Sequence, residues 1–88
     1  MLNENQKEQY GQVAYGVLSK MLGGDPNNYF VSSQTTAMVW AECRKNERIL
    51  NLVGMYLWGD FSRAEKNLSN LRQALREIFE IPDTAVVA

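Results

Sequence analysis

The sequence predicts an all-α protein: a small antiparallel helical bundle of three helices, or four if the central helix breaks near Asn46. Three observations predict it. Apolar residues recur at spacings of three and four near the start, in the middle and in the last third of the chain. Stop signals separate those runs, at Gly23, Gly24 and Pro26, at Gly59 and Asp60, and at Pro82. Between Ser32 and Gly54 no glycine or proline interrupts the chain.

The first helix is expected over residues 5–22. Asn3 or Asn5 can cap it, and Glu4 and Glu8 sit near its positive end. Tyr10, Val13, Ala14, Val17, Leu18 and Met21 form one stripe, with Gln9, Gln12 and Lys20 outside it. Gly11 and Gly16 weaken this helix locally, so its stability must come from packing. The pair Gly23-Gly24 stops it, and Asp25-Pro26 reinforces the stop.

Residues 23–32 read as a loop, with turns set by Gly, Pro and Asn. The loop carries Tyr29, Phe30 and Val31. Folding back over the bundle is the plain expectation; presentation of an aromatic loop to a partner is the functional one.

Ser32 or Ser33 can cap the second helix, expected as one continuous element over 33–58. It keeps phase through Met38, Ala41, Lys45, Ile49, Leu52 and Tyr56. Such a helix would be about 39 Å long at ~1.5 Å per residue, outreaching its neighbours and calling for a kink or a second subunit. The competing form breaks at Asn46, because 44–48 is polar throughout and Asn46 can cap a new helix. Within this element, 49–58 reads ILNLVGMYLW, eight of ten residues being apolar. That density predicts a central helix hidden by its neighbours on most sides. Gly54 inside it costs about 1 kcal/mol against alanine in an exposed helix, and a close helix–helix approach would account for it.

After the turn at 59–61, Ser62 and Glu65 have capping-box spacing. A helix over 62–80 follows, with Leu68, Leu71, Leu75 and Ile78 as its seam and Ala64, Ala74 and Phe79 beside them. The seam is too short for a coiled coil, which sustains such spacing over at least ~3 heptads, so an intramolecular core is expected. Ile81-Pro82 ends the helix, and a tail over 81–88 is expected to fray. The whole chain, 1–88, is expected to be one domain.

Composition restricts the chemistry. There is no histidine, which removes Ser-His and Cys-His catalysis and the commonest zinc ligand. The single cysteine, Cys43, cannot form an internal disulfide and reads as a small buried apolar group, consistent with a reducing cytoplasm. The carboxylates are scattered and none lies in an apolar run. Gly23-Gly24 lacks the GK[ST] of a phosphate loop. The start, MLNENQKEQY, lacks the pattern of a secretory signal. The apolar run at 49–58 falls short of the ~18 residues a membrane span needs. A helix-turn-helix needs a turn of about 3–4 residues, and the first connection is far longer.

These readings predict a small, non-enzymatic, cytoplasmic protein-binding module: an adaptor, inhibitor or assembly factor of the kind small bacterial and phage proteins often are. It would act through an apolar-aromatic helical surface, on another protein or on itself as a homodimer, with no cofactor, metal or membrane. The candidate interface residues are Tyr29, Phe30, Tyr56, Trp58 and Phe61, the last three around the turn at Gly59 and Asp60. The alternative is a nucleic-acid-associated regulator whose basic helical face is built from Arg44, Lys45, Arg48, Arg63, Arg72 and Arg76. Against it stand a formal charge of −1 and the acidic residues Glu42, Glu47, Glu65, Glu77 and Glu80 close by. An enzyme would require residues from a partner.

Overall fold

The computed structural model describes residues 2–24, 26–30 and 32–82. Val31 of the expected loop and residues 83–88 of the expected tail lie outside the described residues. The fold is all-α, with no strand among the described residues. Its elements are α1 (Glu4–Met21), a short α2 (Pro26–Phe30), α3 (Ser33–Lys45), α4 (Glu47–Trp58), a 3-10 turn (Phe61–Arg63) and α5 (Ala64–Ile78). The bundle takes the four-helix form, with α2 as a small addition in the stretch expected to be loop.

Helix α1 begins at a capping box. The Asn3 side chain accepts from Gln6 N at 2.8 Å, and Gln6 Oε1 accepts from Asn3 N at 3.0 Å. Its end is a Schellman motif. Gly23 and Gly24 take φ of 84° and 130°, values open to glycine, so that Gly24 N donates to Ser19 O at 2.8 Å and Gly23 N to Lys20 O at 3.3 Å.

The continuous helix expected over 33–58 does not form. Asn46 takes φ −69° and ψ 116° and serves both neighbours at once. Its N–H donates to Glu42 O at 2.8 Å, finishing α3, and its Oδ1 accepts from Ile49 N at 3.1 Å, opening α4. A straight rod of about 39 Å would exceed the longest dimension of the molecule, 35 × 29 × 18 Å. The break instead brings Val39 and Cys43 of α3 and Ile49 and Val53 of α4 into one core with α1 and α5. Asn46→Ala should lower stability by about 1 kcal/mol, the usual cost of a lost cap, visible as a lower thermal midpoint by circular dichroism.

The capping box expected at Ser62 and Glu65 is absent too. Asp60 Oδ1 accepts from Ser62 N at 3.1 Å, so the chain enters α5 through a 3-10 turn, and Arg63 precedes the helix with no side-chain cap. The helix closes with Glu80 in the left-handed region at φ 54°, letting Ile81 N donate to Arg76 O at 2.9 Å and burying Ile81.

The core is Ala14, Leu18 and Met21 from α1, Val39 and Cys43 from α3, Ile49 and Val53 from α4, Leu71 and Leu75 from α5, and Ile81. The close helix crossing lies at Gly11 rather than Gly54. A Cβ on Gly11 would overlap Arg44 Cγ and come within 3.1 Å of Arg44 Cα, whereas one on Gly54 would meet only the Tyr10 ring, at 3.5 Å.

Burial of 49–58 is one-sided. Ile49, Leu50 and Val53 are buried, but Met55 is 50%, Leu57 37% and Trp58 76% exposed. The thickness of the molecule explains this. Between Cα atoms the body is 18 Å through, about two helix layers at ~8–10 Å between axes, so each helix keeps one side toward solvent.

Candidate interaction surface at the corner between α4 and α5

The exposed end of α4 is built rigidly. Gly59 N donates to Met55 O at 3.0 Å, closing the helix. The buried side chain of Asn67 on α5 donates to the same carbonyl, Nδ2 to O, at 3.1 Å. A Cβ on Gly59 would overlap that carbonyl oxygen and come within 3.1 Å of Asn67 Nδ2. Glycine is therefore required for this approach, and two helices are stapled at one oxygen.

Trp58 is anchored separately. Its indole Nε1 donates to Tyr10 Oη at 2.8 Å. Tyr10 packs against the core from α1, and its ring faces the bare backbone of Gly54, one helical turn before Trp58. The glycine thus leaves room for the tyrosine that holds the tryptophan. The polar atom of the indole is satisfied by Tyr10 at the surface of the protein while most of the ring faces outward. Phe61, in the 3-10 turn, is 93% exposed. Met55, three residues before Trp58, shares its side of α4.

Of the expected interface residues, the structure therefore places Trp58 and Phe61 at one corner. Tyr56 is half-buried. Tyr29 and Phe30 belong elsewhere. Phe30 packs against the core with Tyr29 edge-on to it at 5.1 Å, and it shares a groove of about 510 Å³ with Met38, Ile78 and Phe79. That groove lies at the far end of α5, roughly 20 Å along the helix from Ala64 at ~1.5 Å per residue. Met55, read from the sequence as buried, joins the exposed corner, Leu57 is exposed on the other side of α4, and Tyr10 enters as the anchor of Trp58.

The expected basic face is divided. Arg48 pairs with Glu77 at 2.8 Å, and hydrogen bonds from Gln73 and Arg48 hold the Glu77 carboxyl below its usual range. Arg76 donates to Gln73 Oε1 at 2.7 Å. Arg44 is half-buried, its guanidinium 5.2 Å from the Trp40 ring centre, and Tyr15 meets the same ring edge-on. Lys45, Arg63 and Arg72 are exposed. Arg63 and Arg76 stand at opposite ends of α5, so the six residues do not form one patch.

Cys43 is fully buried. Burial, with the Glu42 carboxylate adding to it, pushes its thiol up to about 12, which keeps it protonated and non-nucleophilic at neutral pH. Among the described residues no group of three or more His, Cys, Asp or Glu side chains is placed to hold a metal ion, and no helix is long and apolar enough to cross a membrane. No family model, curated protein or solved structure matches this chain.

Proposed function

We propose that this chain is a non-enzymatic protein-binding module, an adaptor, inhibitor or assembly factor, and that it docks through Met55, Trp58 and Phe61. One observation carries the reading: Trp58 is three-quarters exposed, yet its N–H is held at 2.8 Å by Tyr10. An exposed tryptophan contributes little to the stability of its own chain. Held in one orientation with its hydrogen bond satisfied, it offers a large apolar face at low ordering cost, the character of an interface anchor. Phe61 extends that face, and exposed apolar clusters of this kind mark interaction sites.

The test is capture on immobilised protein, comparing wild type with a Trp58→Ala, Phe61→Ala double variant. Anchor residues are each worth ~2 kcal/mol or more, so the double variant should bind at least about 30-fold more weakly while its thermal midpoint stays close to wild type. Heparin retention that falls steeply with salt and is unchanged in the double variant would overturn the reading in favour of nucleic acid.

A further inference from the structure

We infer that the elbow at Asn46 is a hinge, and that opening it lets two copies of this chain exchange their α4–α5 halves as a domain-swapped dimer. A register carries the inference. Val39 and Cys43 on α3 and Leu50 and Val53 on α4 are buried, and Asn46 between them is half-buried. Taken in order, Val39, Cys43, Asn46, Leu50 and Val53 are spaced four, three, four and three, the repeat of a single straight helix face. An elbow imposes no such register, because each helix buries whichever side its own direction turns inward. The core faces of α3 and α4 are thus laid out for a continuous helix that one copy of the chain cannot close around.

The backbone points the same way. With ψ at 116°, Asn46 interrupts three bonds of a straight helix, from the N–H groups of Glu47, Arg48 and Ile49 to the carbonyls of Cys43, Arg44 and Lys45. One side-chain bond stands in their place, Ile49 N donating to Asn46 Oδ1 at 3.1 Å. Arg44, Lys45, Glu47 and Arg48 around the elbow are all good helix formers. Straightening restores the three bonds, gives up the cap and changes the conformation of one residue. Opening also selects its own partner. Helices α4 and α5 move together, joined by the Arg48–Glu77 pair and by the bond from Asn67 to the Met55 carbonyl. A straight 33–58 carries them off α1, baring Leu18 and Met21 on one half and Leu71 and Leu75 on the other. The surface that fits each bared half is the other half of the same sequence, so a second opened copy covers both at once. The core contacts between the halves, and the bond from Trp58 to Tyr10, are then remade between chains. A short hinge favours such exchange, and dilution favours the closed monomer because the swap gathers two chains.

The experiment refolds each chain from urea at about 1 and about 500 µM, a range that brackets a micromolar dissociation constant, and reads the mass by sedimentation velocity. Wild type at the lower concentration should be the 10.0 kDa monomer. Asn46→Ala and Asn46→Gln both remove the cap and favour a helix, at two positions in each dimer. Each should raise the association constant about 100-fold over wild type, giving a species of twice the mass at the higher concentration. Asn46→Gly also lacks the cap but disfavours a continuous helix, and should associate about 15-fold or more weakly than Asn46→Ala. Circular dichroism establishes that the variants are folded. In dimers refolded from a mixture of isotope-labelled and unlabelled Asn46→Ala chains, isotope-filtered NMR should place the Trp58 indole N–H of one chain against the Tyr10 ring of the other.

Asn46→Ala and Asn46→Gln chains that both stay monomeric at the higher concentration overturn the proposal. So does an Asn46→Gly chain that associates as strongly as Asn46→Ala, since the hinge would then not be straightening. A dimer in which Trp58 meets only the Tyr10 of its own chain is a contact between closed surfaces, and it overturns the exchange as well.

Discussion

Leu71→Ala is expected to lower the free energy of unfolding by about 3 kcal/mol, within the ~2–5 kcal/mol range for fully buried leucines. Leu71 sits on α5 with no exposed surface, in the same cluster as Leu18, Ile49 and Leu75. Truncation removes the apolar transfer term and leaves a cavity that four helices meeting at fixed angles can close only partly. A domain of this size holds roughly 4–13 kcal/mol in total, so the loss is a large fraction of what exists. The thermal midpoint should fall by about 12–24 °C. Urea titration followed by circular dichroism would give the value, with an unchanged slope showing that the denatured state is the same. Phe61→Ala is the matched control: it removes a larger side chain but should stay within about 0.5 kcal/mol of wild type, because Phe61 is almost wholly in water.

Alkaline conditions should cost nearly as much, through one residue. In the folded chain burial raises the Cys43 thiol to about 12; in the unfolded chain it titrates near ~8.5. Above ~8.5 the unfolded state releases this proton while the folded state keeps it, so folding stability falls as pH rises. The full stabilisation is present below ~8.5 and disappears progressively toward the folded value, at ~1.4 kcal/mol per pH unit. At pH ~11 the loss from Cys43 alone should reach about 3 kcal/mol. Tyrosine and lysine titrations are common to wild type and Cys43→Ala, so the difference between their pH profiles isolates the thiol. Parallel profiles from pH 8 to about 11 would refute the assignment. At neutral pH a thiol reagent should label native protein only as fast as it opens.

The three periodic runs were legible because helix period and core face are local properties of sequence. The stripe from Tyr10 to Met21 and the seam from Leu68 to Ile78 lie in α1 and α5. What could not be read depends on distant groups. A polar 44–48 suits the solvent side of a long helix as well as a break, and the outcome follows from how far a rod would overhang the body. One miss was local: Ser62 and Glu65 have the right spacing for a cap, but Asp60, two residues before Ser62, takes the Ser62 amide instead. Gly11 and Gly54 look alike in sequence, and only Gly11 faces another helix closely enough to exclude a Cβ. Arg48 meets a carboxylate 29 residues away, which divided the expected basic face. At the corner, Trp58 and Phe61 were marked by the turn between them. The hydrogen bond from Tyr10, 48 residues away, had no sequence signal.

The elbow at Asn46 also governs how quickly this chain can find its shape. With 33–58 folded on itself, α2 meets α3, α3 meets α4, and α4 meets α5, each the next element along the chain. Helix α1 must wait for α3, α4 and α5 further downstream, and Phe30 for Ile78 and Phe79. The pairings of adjacent elements close short loops, with little entropy lost before contacts form, and the packing of α1 adds the longer closures. A straight rod would have demanded encounters between remote ends. One residue that ends a helix and starts another thus lets neighbouring helices pair early, in a helical bundle of the class that folds in microseconds to milliseconds.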